Sequence, residues 1–148
     1  PATLTLKDFP MLTEHRAGTY LYNDAMMVHS KAATWEQCAM RVRATVVSRP
    51  TDGRAIIDAG TKVLTSDQYY VQGFGHVMEY PDAAVSALSE EHGTLDLSKS
   101  REKPAVGDIV HIVPNHCCVV SNMVDTVYGV RGGTIEETWK VAARGLVT

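Results

Sequence analysis

The sequence predicts a mainly β fold, an antiparallel barrel-like domain with a few short helices. Short runs of β-branched and apolar residues recur about every 8 to 12 residues with turn residues between them, the spacing of a barrel or sandwich. The helix-compatible region Asp24 to Trp35 carries no long apolar stripe at helical spacing. At 148 residues and 45% hydrophobic content, the chain can bury one core and is too short for a two-domain cofactor enzyme.

Residues 1–17 hold two prolines, mixed charges and no sustained periodicity, and are expected to form a linker that leaves 18–148 as the β domain. Gly18 to Asp24 is rich in β-formers and ends in an Asn-Asp turn signal, so a short strand is expected with Tyr20 and Tyr22 on one face. A loop with a short helical turn then runs to Trp35. Cys38 to Ser48 alternates apolar and polar residues, the pattern of a half-buried strand. Arg49 to Arg54, with Asp52-Gly53, reads as a turn, and Ala55 to Asp58 completes the hairpin, with Asp58 expected to hydrogen-bond a turn. Gly73-Phe74-Gly75 signals close backbone approach or a bulge. Pro81 to Leu88 fits neither the helical nor the strand period, and Ser89 to Gly93 is a polar knot between apolar flanks. Lys103 to Asp108 is a turn that launches the strand Asp108 to Val113. Tyr128 to Ile135 is a hairpin tipped by Gly132-Gly133, and Thr138 to Arg144 is the last strand candidate.

The formal net charge is −3 and Lys and Arg are scattered, so nothing recommends nucleic acid or an anionic membrane as partner; a small molecule or a protein is expected. Three cysteines without a signal-like segment point to free thiols and a cytoplasmic location. No apolar run approaches the roughly 18 residues of a membrane-spanning helix. The chain opens on Pro1 without an initiator Met, and it is expected to be one domain of a longer polypeptide.

Chemistry concentrates in Pro114-Asn115-His116-Cys117-Cys118. On an extended segment His116 and Cys118 share a face and Cys117 points away. One imidazole and one thiolate on one face suit Zn²⁺, with positions left open for water or substrate, the count of a catalytic site. A free Cys is also often just a small buried hydrophobe. A cysteine-hydrolase reading of Cys117 with His116 as base is disfavoured, because neighbours on a strand face opposite ways. His15, His29 and His76 show no partner pattern and read as surface or core residues.

Several stretches together resemble the C-terminal domain of the D-serine dehydratase and D-threonine aldolase family, relatives of alanine racemase that use pyridoxal phosphate. The likeness rests on Glu14 with Ala17-Gly18-Thr19-Tyr20 and Asp24, on Asp58-Ala59-Gly60 with Lys62 and Asp67, and on Gly73-Phe74-Gly75. It continues through Ser89-Glu90-Glu91-His92-Gly93, Val106-Gly107-Asp108, Pro114-Asn115-His116 with Cys118 and Asn122, and Trp139 with Ala143-Arg144-Gly145.

That resemblance implies the metal-bearing lobe of a D-amino-acid lyase, completed by an N-terminal (β/α)₈ barrel that carries pyridoxal phosphate on a lysine. Such a barrel takes about 250 residues, more than this chain has room for, and Lys62 is not expected to replace its lysine. His116 and Cys118 map onto the family's metal site. Aldolase members usually have Asp where Cys118 stands, so the thiolate implies zinc and elimination of β-hydroxy D-amino acids to a 2-oxo acid and ammonia. Retro-aldol cleavage to glycine and an aldehyde is the alternative. Tyr20 is implied near the cofactor, and His92, after Glu90 and Glu91, is implied as a substrate-facing or supporting group. A homodimer is expected, as in relatives. The competing expectation is a β domain that binds a metal or a partner without catalysis.

Overall fold

The computed structural model describes residues 8–146. Eight strands and three short α-helices are present among them: α1 (Ala25–His29), β1 (Val42–Thr51), β2 (Arg54–Ile57), α2 (Thr61–Leu64), β3 (His76–Val77), β4 (Ala84–Leu88), β5 (Gly93–Asp96), β6 (Ile109–Val113), α3 (Cys117–Ser121), β7 (Thr126–Arg131) and β8 (Thr134–Lys140). Six strands close into an antiparallel barrel in the order β1-β2-β5-β4-β3-β6, and β7 and β8 form a separate two-stranded sheet. The barrel-like class expected from the strand spacing is the one observed.

Closure depends on the length of β1. Its first half pairs with β6, Val42 opposite Ile112 and Thr45 opposite Ile109, while its second half turns to β2, Val46 opposite Ile57 and Thr51 opposite Arg54. A register shift between Val46 and Ser48 lets one strand serve both neighbours by bending it. The alternation seen in the sequence points Val42, Ala44 and Val46 inward, where they meet Ala55 and Ile57, Val77, Val85, Leu95, and Val110 and Ile112 in one core. Full burial of each larger aliphatic side chain contributes about 1.5–3 kcal/mol. The Asp58 carboxylate, just past the end of β2, accepts the Thr45 N–H at 2.6 Å, so it bonds strand β1 rather than the expected turn.

Two family-like segments turn out to dock on each other. The first amides of α2, Thr61 and Lys62, donate to the carbonyls of Ser89 and Glu90 at 2.8 and 3.2 Å, and a Cβ on Gly60 would overlap those same carbonyls. Their side chains continue the contact, since Lys62 pairs with Glu91.

Two expectations are corrected and one ambiguity is resolved. Gly18 to Asp24 is not a strand: Thr19–Leu21 forms a 3₁₀ turn, the Asn23 N–H bonds back to the Thr19 carbonyl, and Asn23 takes φ 54°. β1 and β6 pair directly, so the closed barrel leaves this segment no edge to join. The last strand ends at Lys140 rather than Arg144, with turns following. Pro81 to Leu88, ambiguous by pattern, contains β4 with only Val85 fully buried, because a register shift between Val85 and Ala87 breaks the alternation. Part of the proposed linker, residues 1–7, lies outside the described residues.

Candidate metal centre

Strand β6 delivers the chain to Pro114 and Asn115, both buried, and α1 docks there through backbone bonds. The Ala25 N–H donates to the Pro114 carbonyl at 3.0 Å and the Met26 N–H to the Asn115 carbonyl at 3.3 Å. This brings Asp24, the residue before α1, against His116. Asp24 has no exposed side-chain surface, and its two oxygens are both used. Oδ1 accepts the Met27 N–H at 3.1 Å and caps α1. Oδ2 accepts the Cys117 N–H at 3.1 Å and the His116 Nδ1–H at 3.0 Å. One carboxylate therefore fastens the starts of two helices and the imidazole between them.

A carboxylate can only accept, so Nδ1 of His116 carries a proton, and in the neutral ring the lone pair sits on Nε2, the nitrogen a metal would take. The side chain of His116 is 15% exposed. His116 precedes α3 with φ −139° and ψ 116°, and from Cys117 the backbone is helical. This corrects the extended reading of His116 to Cys118: the first turn of a helix, not strand alternation, carries Cys118 back toward the imidazole. The ligand atoms of His116, Cys117 and Cys118 lie within 4.8 Å of one another.

The cysteines divide by environment. Cys118 is exposed, whereas Cys117 and Cys38 are buried. Burial first, then the Asp24 carboxylate, pushes the Cys117 thiol far up, and the same two causes raise Cys38 to about 11. Both stay protonated, which leaves Cys118 as the accessible thiol and removes Cys117 as a nucleophile.

His116 also meets Tyr69, edge to face, with ring centroids 5.4 Å apart at 74°. Sequence reasoning missed Tyr69 altogether and assigned no role to Asp24. The only local trace of the latter was Asn-Asp before a helix-compatible run, a capping signal with no hint of its second partner.

The remaining site expectations lie elsewhere. Tyr20 is 60% exposed on its 3₁₀ turn. His92 is exposed on the β4–β5 turn, its carbonyl accepting the Ser89 N–H at 2.8 Å, and the Glu91 expected to orient it is held by Lys62. His76 is not a lone ring: it stacks on Trp35 at 3.9 Å, with His29 edge-on to the same indole.

The family described as "Putative serine dehydratase domain" matches residues 39–130, which include β1 through most of β7 and both His116 and Cys118. The chain belongs to this family. Within it, this serine-dehydratase-type domain is 38% identical over 130 residues to the uncharacterized protein Rv1414 of Mycobacterium tuberculosis, covering 84% of this chain and 98% of that protein. It superposes on D-threonine aldolase from Filomicrobium marinum with a TM-score of 0.74 at 34% identity, over 88% of this chain and 36% of the enzyme. Against D-threo-3-hydroxyaspartate dehydratase from Delftia sp. HT23 the TM-score is 0.75 at 26% identity, over 88% of this chain and 39% of the enzyme. The domain thus spans little more than a third of these named enzymes, all D-amino-acid aldolases or dehydratases. Solved structures of the dehydratase include a His-to-Ala variant and a Cys-to-Ala variant in the metal-free form, the two changed positions standing two residues apart, as His116 and Cys118 do here.

Proposed function

We propose that this domain is the metal-bearing lobe of a pyridoxal-phosphate-dependent D-amino-acid lyase, and that it serves elimination of β-hydroxy D-amino acids to a 2-oxo acid and ammonia. The observation that carries the reading is the His116–Asp24 pair beside an accessible thiol: a buried carboxylate takes the Nδ1–H of His116, and the ligand atoms of His116 and the exposed Cys118 lie within 4.8 Å of each other. An imidazole nitrogen and a thiolate fit zinc better than magnesium or manganese. When bound, zinc would polarise the β-oxygen of the substrate, as a leaving group for elimination or as an acid for retro-aldol cleavage. The chain's own residues supply orientation: Asp24 fixes the ring, Cys118 offers the thiolate, and Cys117 stays a protonated, packed side chain.

The residues present do not fit pyridoxal phosphate by themselves, because Lys62 is tied to Glu91 on the surface. The cofactor is assigned to a barrel lobe, the part of the named relatives that this chain does not span. Tyr20 and His92, both exposed, would reach cofactor or substrate only across the joint between lobes or between the subunits of a homodimer. The β7–β8 sheet supports such a joint: Tyr128, Val130 and Ile135, on one face by their register, are each more than half exposed. Exposed apolar area of this kind marks an interface.

The test is to supply the protein carrying this domain with pyridoxal phosphate and zinc, and to assay D-serine and D-threonine with and without chelator. Chelator-sensitive 2-oxo acid and ammonia are expected; glycine and aldehyde would instead make it an aldolase with Cys118 at the usual Asp position. A second reading, a lobe that binds metal or a partner without catalysis, is favoured by the match to 98% of the mycobacterial protein, a chain of similar length. Stoichiometric zinc with neither product under all conditions would select it.

A further inference from the structure

Asp24 holds His116 from one side only, and a ring held at one nitrogen can still swing about that bond. The loop between α2 and β3 supplies a second contact to the ring, through Tyr69. Asn115, 2% exposed, donates both Nδ2 protons to backbone carbonyls of that loop, to Asp67 at 2.9 Å and to Gly73 at 2.8 Å. The two acceptors are six residues apart, so one side chain gathers the segment 67–73 at its base. Val71 is buried beneath it, and the Phe74 N–H bonds the Val85 carbonyl at 3.0 Å, fastening the loop to the barrel. Near the tip, Tyr69 takes φ 50°, a left-handed conformation uncommon for a bulky residue, and sets its ring edge-to-face against His116. Tyr70 beside it donates its hydroxyl to the Met26 carbonyl at 2.9 Å, tying the tip to α1 as well. A positive φ on an aromatic that is 58% exposed is not explained by core packing.

We infer that Tyr69 is a positioning residue for the metal centre, holding the His116 ring in its Asp24-bonded orientation, and that Asn115 keeps Tyr69 there by gathering the loop. This rests on the proposed metal reading for its purpose, but the geometry can be tested apart from it. Long-range ¹H–¹⁵N NMR on the metal-free chain reads the His116 nitrogens directly. Wild type is expected to show one protonated Nδ1 and one bare Nε2. Tyr69→Ala should average the two, Tyr69→Phe should restore the wild-type pattern, and thermal midpoints should stay together because the side chain is mostly exposed. Zinc affinity, read by competition with a chelating dye, should fall about tenfold in Tyr69→Ala and recover in Tyr69→Phe, the size usual for groups that orient a ligand. Asn115→Ala should reproduce the Tyr69→Ala nitrogen pattern while keeping the ring present. A Tyr69→Ala protein with wild-type nitrogen shifts overturns the inference, whether or not zinc binds. Averaged shifts in a chain whose wild type takes up no zinc would uphold the clamp and sink the metal reading alone.

Discussion

Asp24 shows how much one buried carboxylate can organise. It accepts three hydrogen bonds, from Met27, Cys117 and His116, and loses one acceptor site if changed to Asn. Asp24→Asn should therefore cost about 3 kcal/mol of unfolding free energy by urea titration, the usual range for breaking a buried charged network. It should also lower zinc affinity by roughly 10–100-fold by dye competition, since Nδ1 loses its carboxylate partner. A second residue-scale test concerns His76, whose pKa is pushed down by burial and then by the neighbouring His29. A folded-state pKa below the unfolded value means that the unfolded chain binds the proton more readily. The associated stability is complete above about pH 6.5 and is lost as pH falls from there through the folded-state pKa. Urea midpoints should drop between pH 7.5 and 5.5 in wild type and drop less in His76→Phe, which keeps a ring on Trp35.

Among the elements, the short helix α2 depends on a residue with no side chain. Gly60 lies against the Ser89 and Glu90 carbonyls, and neither backbone group can move without breaking the bonds to Thr61 and Lys62. Gly60→Ala should destabilise by about 2–4 kcal/mol, the overpacking range with a lost backbone contact added, and thermal unfolding would show it. The Asp58-Ala59-Gly60 and Ser89-to-Gly93 stretches were legible in the sequence as belonging to a family, yet their mutual docking was not, because turn residues announce turns and not partners. Hairpins were read more completely. Asp52-Gly53 and Gly132-Gly133 sit in the β1–β2 and β7–β8 turns, where local backbone preference decides the outcome. The segment around Tyr20 failed for the converse reason: β propensity alone does not make a strand where the closed barrel offers no edge to join.

The whole molecule is a closed barrel with a sheet of two strands beside it. A two-stranded sheet is marginal in water without cover, so the two parts should differ in stability. Hydrogen exchange by NMR should show β1, β2, β5 and β6 amides exchanging only through global unfolding. Amides of β7 and β8 should open at least 2 kcal/mol more easily unless a partner covers them. Equal protection in the isolated chain would mean the exposed apolar face needs no partner, against the proposed joint with a barrel lobe.

What the sequence by itself determined is what short-range physics settles: the β1 strand by alternation, the hairpins by their turn residues, and the presence of a His-x-Cys unit. The tertiary structure alone decided how that unit works. His116 and Cys118 converge because α3 begins at Cys117, and α3 begins there because Asp24, 93 residues away, accepts its first N–H. Tyr69 arrives from a third segment, gathered by Asn115. Periodicity reports which face a side chain takes within its own element; which distant carboxylate or ring meets it is set by barrel closure, and no local pattern encodes that.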